Sequence, residues 1–350
     1  MTDIKKTLRN LLLFVSLIAI TFYVVLKNQN IEDIRQALKI VDIKYLLIGV
    51  VSMFLYFTFE AINLGRTLRV LGEKSSFLSN LRYAFIGFFF SAITPAASGG
   101  QPVQIYYMHK NKISIAHATL SLLVLLCSYH LVTISFALFS FIFNFNILSH
   151  TLRLLFVLGI LLNILVFSII LIGVFSRRMS RALINLGLKV LKFFKVKNID
   201  QKEEKLINGL EKYQGSAKYI KSHPGVMVKT FFTTVLQMAS FFSISYWVYR
   251  SFGLTENNIL QIITLQSILY ATVCVMPLPG SVGISEGVFL GIYAAIYTES
   301  FIGTAMMLHR GISFYVFVIV SSLVVLANTI ISNKKDKKLE NNSINKLRED

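Results

Sequence analysis

The apolar run Ile259–Met276 stops at Pro277-Leu278-Pro279-Gly280-Ser281-Val282-Gly283-Ile284-Ser285-Glu286-Gly287 and resumes as a second apolar piece, Val288–Thr298. An earlier run, Leu81–Thr94, stops in the same way at Pro95-Ala96-Ala97-Ser98-Gly99-Gly100-Gln101-Pro102 and resumes over Val103–Met108. Proline removes a backbone donor and glycine frees the chain, so each stretch breaks a helix. If the breaks lie at membrane depth, their freed N–H and C=O groups must be buried in protein or line a wet cavity, since lipid cannot satisfy them. How these two stretches are read decides the fold. They are either re-entrant hairpins or ordinary loops between ten short spans, because short apolar runs are ambiguous by periodicity.

The rest of the chain supplies the membrane setting. It has 350 residues, of which 55% are hydrophobic and 15% charged, with a mean hydropathy of +0.64, which argues against a soluble enzyme. A net charge of +18 would suit a nucleic-acid binder, but the basic residues sit between long apolar runs, so a membrane surface is the better partner. Cys127 and Cys274 lie inside apolar runs with no flanking ligand, so neither a metal cluster nor a disulfide framework is expected, nor any cofactor. A spanning helix needs roughly 20 apolar residues. Six candidates meet this: Leu8–Leu26, Tyr45–Leu64, Ile115–Phe145, Leu152–Phe175, Val226–Tyr249 and Phe301–Ile331. The apolar run of the first, Leu11–Leu26, follows Lys5, Lys6 and Arg9 like a signal peptide, but no small-residue cleavage site follows it before Lys27, so it reads as a retained span.

Charge bias orients these spans, because short cytoplasmic loops retain Lys and Arg. Three basic residues lie at the N-terminus (Lys5, Lys6, Arg9), four in Arg66–Arg82, two in Lys110–Lys112, twelve in Ser176–Gly225 and six after Asn333. The opposite side holds four in Lys27–Lys44, plus Arg153 and Arg250. Both termini are then cytoplasmic, provided that the first break enters and leaves from the cytoplasm and the second from outside. The expected fold is an all-α polytopic membrane protein with about six full spans and two oppositely oriented re-entrant helical hairpins. Transporters built as inverted repeats share this arrangement, although the two halves here share no visible identity beyond the Pro/Gly breaks. Residues 1–332 form the membrane domain. Within it, 176–225 is a basic connector whose lysines alternate with Leu and Phe, suited to an anionic leaflet or to solvent. Residues 333–350 read as a disordered charged tail.

Ionisable residues inside spans are functional candidates by default, because their placement is costly unless they are paired or wetted. Glu60, His130, Glu286, His309 and Arg310 qualify. Arg66 and Arg69 are three residues apart on one helix face, suited either to a lipid phosphate or to anchoring at the cytoplasmic surface. Glu286 and Arg310 are the favoured pair, either exchanging partners with a charged substrate or forming a structural ion pair. Ser98, Gly99, Gly100 and Gln101, with Gly280 and Gly283 of the second break, offer backbone donors at half-helix starts, where an anion such as phosphate is favoured. His130 is either a proton relay or a packing histidine. No phosphate-binding ATPase loop, nucleophile elbow or zinc-protease motif occurs.

With Val103-Gln104-Ile105-Tyr106-Tyr107-Met108 added to the first break, the two Pro/Gly motifs in this order resemble the flippase-like membrane domain of lysylphosphatidylglycerol synthases, the multiple peptide resistance factor family. The resemblance covers about residues 8–331 and places Gln104, Pro277 and Pro279 on the same path as the residues above. It implies a multi-pass bacterial inner-membrane protein that moves phosphatidylglycerol, lysyl-phosphatidylglycerol or a related lipid between leaflets, lowering sensitivity to cationic antimicrobial peptides. In that reading Arg66 and Gln101 engage phosphate and Glu286 meets the lysyl amine, so Glu286→Ala abolishes lysyl-lipid movement but not insertion. Full-length relatives add a soluble domain that transfers lysine from lysyl-tRNA to phosphatidylglycerol. Here nineteen residues follow Ile331, too few for such a domain. The alternatives are therefore a phosphatidylglycerol lysyltransferase or its membrane subunit, and a scaffold whose basic connector recruits a partner. The expected partners are membrane phospholipids, a separate synthase and further copies of the chain, with no nucleic acid unless synthase activity brings lysyl-tRNA.

Overall fold

A computed structural model describes residues 31–144, 148–176, 213–274, 276 and 278–329. The first expected span (Leu8–Leu26), connector residues 177–212 and the charged tail lie outside the described residues. Within them the fold is entirely helical: α1 Ile31–Ile40, α2 Ile43–Val70, α3 Phe77–Ala92, α4 Gly100–Lys110, α5 Ile115–Asn144, α6 His150–Phe175, α7 213–221, α8 Pro224–Ser251, α9 Ile259–Val273, α10 Ile284–Tyr293 and α11 Glu299–Thr329. Five of these, α2, α5, α6, α8 and α11, are long and apolar enough to cross a membrane, and they match the five remaining spans expected from sequence. Their exposed faces carry side chains such as Leu47, Phe139, Ile142, Leu161, Phe232 and Ile319, the surface that lipid requires.

Helix ends follow the local chemistry. Asp42 caps α2 through Lys44 N–H (2.9 Å), and Ser76 caps α3 through Ser79 N–H (3.2 Å). Asn258 and Gln261 form a reciprocal capping box at the start of α9 (3.0 and 2.8 Å). Glu73, beyond the end of α2, accepts from Ser114 N–H (3.1 Å) just ahead of α5 and pairs with His117 at 2.6 Å, pinning the α2 exit to the α5 entry.

The two breaks are hairpins whose tips meet. The sixteen residues of α3 and eleven of α4 extend about 24 Å and 16 Å at 1.5 Å per residue, short of the roughly 30 Å hydrocarbon core. They lie against each other across a one-turn 3-10 segment, Pro95–Ala97. In the same way α9 packs on α10 across Pro279–Ser281, and the two 3-10 segments contact one another.

Opposite orientation of the hairpins follows from how α2 and α8 pair. Asp42 N–H, at the start of α2, donates to Ser251 O at the end of α8 (2.8 Å). Toward its other end, Asn63 donates to Thr234 Oγ1 (3.1 Å) and Arg66 to Thr233 Oγ1 (3.0 Å), near the start of α8. The two helices are therefore antiparallel, and the first hairpin departs from the end of α2 while the second departs from the end of α8. These ends lie on opposite sides of the bundle. Ten short spans would need each break to carry the chain across the bundle, whereas each returns it to its own side. Where α2, α3 and α11 meet, Phe57 stacks on Phe85 (4.3 Å) and Phe317 (5.4 Å). At the end of the connector, α7 sets Ala217 and Ile220 against Leu120 and Val124 of α5 and leaves Lys218 and Lys221 exposed.

Candidate functional site

A cavity of about 560 Å³ opens beneath the joined breaks. Glu60 and Tyr56 enter it from α2, Ser91 from α3, Ser98, Gln101 and Gln104 from the first break and α4, and Tyr129 and His130 from α5. Gln237 comes from α8, Gln266, Tyr270 and Cys274 from α9, Gly280, Ser281 and Ser285 from the second break, and His309, Arg310, Ser313 and Phe314 from α11. Phe88, Phe241, Leu269 and Phe289 make the apolar part of the wall. A concave site with an apolar wall and a few convergent polar groups suits a small polar ligand or headgroup.

Glu286 and Arg310 form the densest contact of this site. Arg310 Nε donates to Glu286 Oε1 at 2.7 Å, and Arg310 Nη2 donates to Gly280 O at 3.0 Å, tying α11 to the tip of the second break. The other carboxylate oxygen accepts from Gly283 N–H (2.6 Å) and Ser285 Oγ (3.3 Å). The guanidinium also lies 4.4 Å from the centre of the Phe314 ring. A π-helical turn, Gly311–Tyr315, follows at once. Its wider register keeps His309, Arg310, Ser313 and Phe314 on one face, a use to which such turns are commonly put at functional sites.

This geometry corrects two expectations. The anion favoured at the second half-helix start is supplied by the protein: Glu286, at the third position of α10, reaches back to Gly283 N–H. Both Glu286 oxygens are engaged, so Glu286→Ala, which would strand a largely buried guanidinium, is expected to weaken the fold. The second correction concerns Arg66 and Arg69, which the structure does not bring to the cavity. Arg66 turns into the α2–α8 seam, donating to Asn63 Oδ1 (2.8 Å) and Thr233 Oγ1 (3.0 Å), and Arg69 is exposed. An i,i+3 spacing spreads residues over about 60° of helix face, enough here to send one inward and the other to solvent.

The other expected residues fall in two groups. Ser98, Gln101, Gln104, Glu60, His130, Gly280, His309 and Arg310 line the cavity. Gly99, Gly100, Pro279, Gly283 and Glu286 build its frame, while Pro277 lies outside the described residues. Gly100 is set so close to α3 that a β-carbon would lie 2.6 Å from Gly87 O and overlap the Ser91 hydroxyl. Gly280 has φ +58°, and a β-carbon there would enter the Phe314 ring.

Uncharged polar residues within spans also build the site, and a search restricted to ionisable residues passes over them. Gln266 accepts from Ser245 Oγ (2.8 Å) and Tyr293 OH (2.9 Å), joining α8, α9 and α10. Asn163 donates to Gly159 O (2.9 Å) and Ala271 O (3.1 Å), and its Oδ1 meets His130 Nδ1 (3.2 Å) and Cys274 Sγ (3.3 Å). Their signal was an amide inside an otherwise apolar run. Asn163→Leu leaves these buried groups without partners and is expected to cost about 1–3 kcal/mol, with most of the loss regained in a Cys274→Ala, His130→Leu background. Thermal unfolding of the three proteins in detergent measures it.

The family model described as the Lysylphosphatidylglycerol synthase TM region matches residues 11–321. The chain belongs to that family. It is also similar to a UPF0104 membrane protein of Pyrococcus horikoshii, 23% identical over 297 residues that make up 82% of this chain and 88% of that protein.

Proposed function

We propose that this protein moves phosphatidylglycerol, lysyl-phosphatidylglycerol or a related lipid between membrane leaflets, with the headgroup passing through the cavity while the acyl chains stay in the bilayer. The observation that carries this reading is the meeting of two oppositely oriented hairpin tips over a polar cavity, the arrangement by which transporters build a midplane site from broken helices. Arg310 and Glu286 are the exchangeable pair. A phosphate draws on the guanidinium as the carboxylate keeps its Gly283 and Ser285 contacts, and the pair re-forms when the lipid leaves. Gln101 and Ser98 meet the headgroup from the first break.

The basic surface supports the orientation. Arg69 in the last turn of α2 and Lys74, Arg82, Lys110 and Lys112 after it flank the first hairpin, and Lys218, Lys221 and Lys229 border the start of α8 on the same side. We take that side as cytoplasmic in a bacterial plasma membrane, where the lipid movement lowers sensitivity to cationic antimicrobial peptides. Purified protein in liposomes is expected to speed the leaflet exchange of fluorescent phosphatidylglycerol above that of protein-free vesicles. No exchange by folded, inserted protein would refute the reading. Lipid extraction from a host lacking lysyl-lipid separates the transferase alternative, which alone predicts that new lysyl-phosphatidylglycerol is made.

A further inference from the structure

Glu60 differs from every other acid at the site. Glu286 is satisfied on both oxygens, by Arg310 on one and by Gly283 N–H with Ser285 on the other. Glu60, on α2 and facing the same cavity, has no ion-pair partner among the described residues; its neighbour is the amide of Gln104, which is itself held by Tyr83 O (3.0 Å). The groups beside Glu60 are neutral: Tyr56 one turn earlier on α2, whose hydroxyl meets Gln237 of α8, and Gln104 on α4.

The remaining titratable lining comes from Tyr129 and His130 on α5, Tyr270 and Cys274 on α9, and His309 and Arg310 on α11. Of the charged members, Arg310 is already neutralised by Glu286. His309 is 3% exposed, and neither ring nitrogen has a hydrogen-bond partner. The ring packs on Phe289, 5.4 Å between centres, and neither nitrogen opens to the cavity.

An uncompensated carboxylate among neutral groups in a membrane bundle is stable as the neutral acid and costly as the anion. It binds a proton when the cavity is closed and loses it when the cavity wets. We propose that Glu60 is a proton-binding site that couples lipid movement to the transmembrane proton gradient. The step is a simple transfer: a proton from water on one side bonds to a Glu60 carboxylate oxygen, and the same O–H bond breaks to water on the other side after the hairpins have exchanged access. This inference rests on the lipid-moving reading above and adds its energy source.

The test uses the full chain in proteoliposomes with the membrane potential clamped at zero and a pH difference of about one unit. One proton carried per lipid would set the steady-state leaflet ratio of the moved phosphatidylglycerol at about tenfold, the factor in proton activity. Reversing the gradient should invert the ratio, Glu60→Gln should abolish the bias, and Glu60→Asp should restore it. Lipid exchange by the wild type that reaches a ratio of one regardless of the gradient overturns the coupling and leaves the lipid reading intact. Infrared difference spectra of the wild type across a pH titration supply a readout independent of lipid movement. A protonated-carboxyl band missing from Glu60→Gln supports the site, and an unchanged band in that variant overturns it.

Discussion

Replacing Arg310 by alanine is expected to destabilise the protein by about 3–5 kcal/mol, because Glu286 remains 3% exposed with its countercharge gone. Loss of the guanidinium also releases Gly280 O and the tip of the second break. Thermal unfolding in detergent should show a large drop for Arg310→Ala. A smaller drop is expected for Arg310→Met with Glu286→Gln, since removing both charges spares the cost of burying one alone. That double variant separates structure from transport. It is expected to fold and yet to lose most lipid movement, as it has no pair to exchange with a headgroup. A double variant that moves lipid at the wild-type rate would assign the pair a structural role only.

The second large effect is expected at Gly100. Its added β-carbon meets the carbonyl of Gly87, and backbone cannot swing aside as a side-chain tip can. Gly100→Ala should splay α4 from α3, withdraw Ser98 and Gln101 from the cavity, and cost about 1–3 kcal/mol or more by overpacking. Gly287→Ala is the matched control: it lies within α10 at negative φ with open space where the β-carbon would go, and alanine there should gain about 0.5–1 kcal/mol. Melting curves of the two variants should move in opposite directions. The same sign for both would mean that the first hairpin is looser than described.

The spans were legible because a membrane helix announces itself over twenty or more residues, so that even unpaired positions such as Leu161 and Ile142 carry the signal. The breaks were legible as interruptions, and the charge count alone set their opposite orientation. What sequence did not contain was which groups would take one another. Glu286 and Arg310 stand twenty-four residues apart, and nothing in their spacing says that Gly283 N–H would claim the second oxygen. Arg66 looked like a phosphate ligand because its partners, Thr230 and Thr233, lie more than 160 residues away on α8. The π-helical turn after Arg310 left no mark beyond Gly311, since its wider register is settled by packing.

In the proposed function, lipid headgroups cross through the cavity beneath the joined breaks. This passage is tested most directly by placing a single cysteine at Ser98, an exposed residue of the cavity lining, in a chain with Cys127→Ser and Cys274→Ser, and following phosphatidylglycerol exchange in liposomes before and after labelling with a bulky maleimide. Exchange above protein-free vesicles is expected before labelling and its loss afterwards, with a label on exposed, lipid-facing Leu161→Cys harmless. Exchange that continues at the same rate with Ser98→Cys fully labelled would contradict passage through the cavity.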